Sequence, residues 1–146
     1  MRTLSLVALI IVCGSLHAAT PADADEEGIR RAALDYIEGW YEGSTERMAR
    51  AVSPELVKRI VFTENGASRI ENMGASKLVN NVRMGGGTKT PKDKQQKDVT
   101  ILDRFGNAAS VKVVASDWID YLHLARIDGR WVIVNVLWEL KPKARP

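Results

Sequence analysis

The chain of 146 residues is 45% hydrophobic and 27% charged, with 21 basic against 18 acidic residues and a net charge of +3. Those values belong to ordinary globular domains and exclude a disordered, collagenous or coiled-coil chain; the charge is too balanced for a histone-like or ribosomal polyanion binder. One hydrophobic core is expected at this length.

Met1-Arg2-Thr3 is a short basic start, Leu4 to Cys13 is an apolar run, and Gly14 to Ala19 is rich in small residues. That pattern is a secretory signal peptide, residues 1–19, cleaved after Ala18 or Ala19. The run is too short for a membrane span, which needs about 20 residues. Cys13 is preceded by Ile11-Val12 where a lipobox wants a small residue, so it leaves with the leader. The mature chain is then expected in the periplasm or outside the cell, without disulfides.

Residues 20–28, with Pro21, Asp23, Asp25, Glu26 and Glu27, read as a mobile acidic leader to a single domain at 29–142. From Ile29 the apolar residues Ala32, Ala33, Tyr36, Ile37 and Trp40 follow the three-and-four spacing of one helical face, and Gly43 ends it. Ser44 caps a short second helix with Met48, Ala51 and Val52. Ser53-Pro54-Glu55 has the chemistry of a third helix start: a capping serine, a first-turn proline and an acid. Glu64-Asn65-Gly66 predicts a hairpin turn between Ile60–Phe62 and Ser68–Met73. Leu78, Val79 and Val82 fit a short helix closed by Gly85-Gly86-Gly87.

Gly85 to Thr90 lacks the spacing of a phosphate loop and reads as a flexible turn. The basic residues Lys77, Arg83, Lys89, Lys92, Lys94 and Lys97 have no aromatic among them to stack on bases, so a solvated loop is expected rather than a nucleic-acid site. The remainder has strand periodicity: Val99–Phe105, Ala108–Ser116, Ile119–Ile127 and Arg130–Leu140, an antiparallel meander. Helices first and sheet last is an α+β order, with the helices on one sheet face.

If Asp128-Gly129 is a two-residue turn, Leu122 pairs with Asn135 and Asp120 with Leu137, sharing a face with Leu124, Arg126, Trp131 and Ile133. The opposite face then carries Tyr121, His123, Val132, Val134, Val136 and Trp138. Neither face is polar, so both are expected to be covered: one by the helices, the other by a second copy in a homodimer.

The helix with Tyr36 and Trp40, followed by a meander ending in Asp120-Tyr121-Leu122-His123-Leu124-Ala125-Arg126-Ile127-Asp128-Gly129-Arg130-Trp131-Val132-Ile133-Val134-Asn135, resembles the nuclear transport factor 2-like superfamily and, within it, the bacterial family described as putative lumazine-binding. The resemblance covers about Ile29 to Pro142. It implies a cone-shaped α+β fold, a pocket between helix and curved sheet, dimers through the outer sheet face and a small aromatic, lumazine-like ligand. The superfamily includes isomerases, dehydratases and plain binding domains, so it does not settle activity. No tyrosine and carboxylate pair of the ketosteroid isomerase-like branch can be matched.

The residues favour binding over catalysis. The expected ligand-binding set is Tyr36, Trp40, Asp120, Leu122, Trp131 and Asn135. Asp120, a carboxylate on an apolar face, is also the weak candidate for a general base, as in an isomerase or cyclase. A domain used only for protein interaction is the third alternative. His123, the sole mature histidine, falls on the outer face. With no mature cysteine and no histidine pair, no metal and no cofactor are expected.

Overall fold

The computed structural model describes residues 20–142; the expected export leader, residues 1–19, lies outside them. The first helix, α1, runs Pro21–Glu42, eight residues earlier than its apolar stripe begins. The acidic segment expected to be a mobile leader is its first two turns. Thr20 accepts from the Asp23 backbone N–H while Asp23 reaches back to the Thr20 N–H, a reciprocal cap, and Pro21 has no N–H to leave unsatisfied. Farther along, Asp25 is anchored by Arg104, Arg126 and Trp131. Gly43 ends the helix in the left-handed region at φ 68°.

Helix α2 is Thr45–Ala51, capped by Ser44. It is tied to α1 through Asp35, a buried carboxylate that receives Arg47 at 2.9 Å and Arg50 at 2.8 Å. Arg47 also pairs with Glu38 and Glu42.

The helix expected at Ser53-Pro54-Glu55 does not form. These residues open β1, Val52–Glu64. The local cap chemistry survives, since Ser53 Oγ accepts from the Glu55 N–H at 3.2 Å, but it closes a turn inside a bulge. Val52 pairs with Ile133 of the last strand and Val57 with Asn135, so Ser53 to Leu56 span what the neighbour crosses with Val134 alone. A bulge in a ladder is a position that accepts proline, and tertiary pairing here overrides a local helix signal.

Asn65 and Gly66, both at positive φ, turn β1 into β2, Ala67–Gly74, as the Asn-Gly signal predicts. Helix α3, Ala75–Arg83, buries Ala75, Leu78 and Val82, and a single 3-10 turn follows at Lys92–Lys94. The strands β3 Lys97–Phe105, β4 Ala108–Ala115, β5 Trp118–Ile127 and β6 Arg130–Leu140 form the expected meander. The sheet order is β2-β1-β6-β5-β4-β3, and the β1–β6 join is parallel, so the sheet is mixed. The helices pack on one face of it, an α+β arrangement. Ile29, Ile37, Met48, Val111, Val113, Leu122, Leu124, Ile133 and Val136 form the middle of the core.

The last hairpin corrects the register. From Ile127↔Arg130 to Leu124↔Ile133 the pairing is as predicted; then β6 has one extra residue, Val134, and beyond it His123 pairs with Asn135, Leu122 with Val136 and Asp120 with Trp138. Because side chains alternate, one added residue exchanges the faces of the rest of the strand. Val136 and Trp138 turn inward. Asn135 and Leu137 turn outward, where Asn135 meets His123 at 3.2 Å and accepts from Arg59 at 2.6 Å. The outer face is therefore less apolar than predicted, with Tyr121, Leu137, Val61 and Ile70 about half-exposed among Arg59, Lys112, His123 and Asn135.

A candidate ligand cavity with a buried lysine

Between α1, α3 and the inner sheet face is a cavity of about 310 Å³ bordered by Tyr36, Trp40, Lys58, Leu78, Trp118 and Trp138, with Met73, Asn81, Asp117 and Leu140 completing its wall. Its chemistry comes from short-range rules. Tyr36 and Trp40 are four residues apart on α1 and so project from one side of it. Lys58 is the inward residue between Leu56 and Ile60 on β1. Asp120 on β5 lies directly opposite Trp138 on β6, and Trp118 opposite Leu140.

At the floor these side chains close on one another. Lys58 Nζ donates to Asp120 Oδ1 at 2.5 Å and to the Tyr36 hydroxyl oxygen at 2.7 Å. Tyr36 in turn donates to the same carboxylate oxygen at 3.2 Å, and Trp118 Nε1 donates to Asp120 Oδ2 at 2.6 Å. The ammonium also stands 4.5 Å from the centre of the Trp138 ring and 5.4 Å from that of Tyr36, within cation–π range. Asp120 is 0% exposed and Lys58 7%. Burial holds the Lys58 amine below the ordinary lysine range, against the opposing pull of the Asp120 charge and its hydrogen bond. Burial, the neighbouring Asp120 charge and the bond to it push the Tyr36 hydroxyl well above its usual value, so it stays protonated.

Two consequences follow. Asp120 does not border the cavity; its oxygens are taken up by three donors, and it reaches an occupant only through Lys58, so it is badly placed as a general base on a ligand. An ammonium has three protons, and these two bonds use two of them. The third has no oxygen or nitrogen partner among the described residues, and Lys58 borders the cavity.

Of the residues predicted from sequence, Tyr36, Trp40 and Asp120 come together here. Leu122 is a core residue behind the wall. Trp131 is at the other end of α1, its indole against Gly28 and its Nε1 donating to Asp25 at 3.1 Å, about 18 Å along the helix from Trp40 at 1.5 Å per residue. Asn135 is on the outer face, removed by the β6 bulge. Sequence reasoning missed Lys58, Trp118 and Trp138. The signal for Lys58 was the alternation Leu56-x-Lys58-x-Ile60, a lysine at an inward strand position.

The glycine run expected as a flexible turn is a packed strap behind Trp40. Gly87 N–H donates to the Trp40 carbonyl at 3.1 Å, and a methyl group on Gly87 would stand 2.4 Å from the Trp40 ring. Only glycine fits this approach. Among the described residues, no three His, Cys, Asp or Glu side chains are grouped to hold a metal ion, and no helix is long and apolar enough to cross a membrane.

The family described as putative lumazine-binding matches residues 24–139, nearly the whole described chain. The chain belongs to that family. Solved structures extend the likeness to the nuclear transport factor 2-like superfamily. A nuclear transport factor 2-like protein of unknown function from Shewanella baltica superposes with a TM-score of 0.67 at 18% identity, covering 86% of this chain and 100% of that one. Another from Silicibacter pomeroyi gives 0.66 at 12%, covering 84% and 100%. A third, from Methylobacillus flagellatus, gives 0.65 at 22%, covering 81% and 93%. At these identities the superpositions establish the fold. No curated protein matches the chain.

Proposed function

We propose that this domain binds a small, flat, uncharged heterocycle with carbonyl acceptors on its edge, of the lumazine kind that the family description indicates. The observation that carries this is Lys58 at the border of an aromatic cavity, its ammonium making two of its three possible hydrogen bonds among the described residues. Lys58 and Asp120 neutralise each other, so a charged ligand would bring an uncompensated charge into a site of low polarity, whereas a neutral carbonyl accepts the proton at little cost. The aromatic walls supply dispersion and stacking, and the volume falls at the small end of ligand sites.

Titration with lumazine tests this through the indole fluorescence of Trp40, Trp118 and Trp138. Saturable quenching is expected, weakened about tenfold in Lys58→Arg, the equivalent of one hydrogen bond to a charged donor. Absence of saturable quenching by lumazine and by a panel of related bicyclic heterocycles at millimolar concentration overturns the proposal.

The ligand would be met outside the cytoplasm, since the leader at residues 1–19 supports export; protein from the periplasm or medium should begin at Ala19 or Thr20. The domain is further proposed to pair with a second copy through Tyr121, Leu137, Val61 and Ile70. Leu137→Glu should turn a sedimenting dimer into a monomer. A wild-type chain that is monomeric at micromolar concentration refutes the pairing.

A further inference from the structure

We propose that Lys58 is a covalent carbonyl-capturing residue: it condenses reversibly with a flat aromatic aldehyde in the cavity, giving a protonated imine paired with Asp120. This rests on the reading of the cavity as an aromatic-ligand site and goes beyond it, from holding a carbonyl to reacting with one.

The chemistry needs four things. It needs an amine facing an apolar chamber, and Lys58 is the one lysine among the described residues that borders the cavity. It needs a base to take a proton from the ammonium, which is no nucleophile while fully protonated; Asp120 Oδ1 is 2.5 Å from Nζ. It needs a means of passing a proton to the departing oxygen, and the Tyr36 hydroxyl, 2.7 Å from the same nitrogen and bonded to the same carboxylate, is a relay between them. Finally, the product cation needs a counter-ion and a dry setting. Asp120 is already fixed by Tyr36 and Trp118, and the Trp138 face lies 4.5 Å from the nitrogen. A lysine held only as a structural ion pair requires neither the aromatic chamber nor the relay.

The step balances without a co-reactant. One ammonium proton passes to Asp120, and the nitrogen lone pair forms a C–N bond to the aldehyde carbon. The carbonyl oxygen takes up protons released from nitrogen and Asp120 through Tyr36, the C–O bond breaks, and water leaves. The nitrogen keeps one proton as the iminium and Asp120 is again a carboxylate. In total, one ammonium and one aldehyde give one iminium and one water, and the charge of the site is the same before and after. Burial also favours the free amine needed for attack, in the same direction as the geometry. Walls that exclude water oppose hydrolysis of the imine.

The test incubates the purified protein with limiting 2-naphthaldehyde and sodium cyanoborohydride, which reduces an imine to a stable amine, and locates the adduct by peptide mass mapping. Labelling at Lys58 is expected at least several-fold faster than at exposed lysines such as Lys77 and Lys89, because the cavity holds the aldehyde beside an amine whose pKa burial lowers. Lys58→Arg, which keeps a cation beside Asp120 but cannot condense, should lose that label alone. Tyr36→Phe should slow it at least several-fold while leaving surface labelling unchanged. Labelling of Lys58 no faster than of Lys77 overturns the proposal. Saturable binding of 2-naphthol, which has the ring but no aldehyde, separates the two readings. If 2-naphthol binds and Lys58 is not labelled, the capture fails and the binding site stands; if 2-naphthol and lumazine both fail to bind, the site itself fails.

Discussion

Replacing Lys58 by methionine keeps most of the stem volume and removes the charge. Asp120 is then a fully buried carboxylate with two donors, Tyr36 and Trp118, in place of three. Breaking a buried pair from one side costs about 3–5 kcal/mol, and with two hydrogen bonds retained the lower end, about 3 kcal/mol, is expected. That is a large part of the 5–15 kcal/mol available to a typical domain. In Lys58→Met/Asp120→Asn the charge is gone, the amide can donate to Tyr36 and accept from Trp118, and the cost should fall to about 1 kcal/mol. Urea unfolding followed by tryptophan fluorescence at pH 7 measures all three proteins. A Lys58→Met cost below about 1 kcal/mol, or a double mutant no more stable than the single, would show that Lys58 and Asp120 are not an energetically coupled pair.

Gly87→Ala puts a methyl group 2.4 Å from Trp40 Cδ1 and 3.0 Å from Tyr41 Cδ1, so it should cost about 1–3 kcal/mol and weaken lumazine quenching by moving the indole into the cavity; a variant within about 0.5 kcal/mol of wild type with unchanged quenching refutes the strap. Burial alone would raise the Asp35 carboxyl, but hydrogen bonds from Arg50 and Arg47 outweigh it and hold the group below the carboxylate range. Its contribution is thus present above about pH 4 and lost as pH falls through the lower native value. Asp35→Asn should cost about 2 kcal/mol at pH 7 and flatten the fall in stability on acidification to pH 3, measured by urea unfolding; a mutant with the wild-type slope excludes Asp35 as its source.

What could be read from the letters depended on whether an element was continuous. The period of α1 places Tyr36 and Trp40 on the core side, and the alternation of β5 places Asp120 inward, because neither element is interrupted between the residue and the nearest landmark. Lys58 was obscured by the segment before it. Ser53-Pro54-Glu55 has the local chemistry of a helix start, and only the parallel partner strand, more than 70 residues away in sequence, makes it a bulge. Trp138 and Asn135 were assigned to each other's faces for the same kind of reason. A bulge adds one residue without any compositional mark, and Val134 is as good a strand residue as its neighbours. The acidic start of α1 has a leader's composition, and its fixed contacts, from Arg104, Arg126 and Trp131, come from distant strands that its own letters do not announce.

The bulge at Val134 makes β6 two half-strands in antiphase. Arg130 to Ile133 serve the beginning of α1, and Asn135 to Leu140 serve the cavity on one side and solvent on the other. Deleting Val134 alone would turn the second half inside out, carrying Trp138 to solvent and Leu137 and Glu139 toward Lys58, with no change in the composition of the cavity-forming segment. For design, Val136, Trp138 and Leu140 form a cassette that can be rewritten to change the cavity without touching the half that docks the helix. For comparison among relatives, one with and one without the extra residue would present opposite faces of the same letters to the cavity, so an alignment that closes the gap one position away would assign the wrong side chains to its wall.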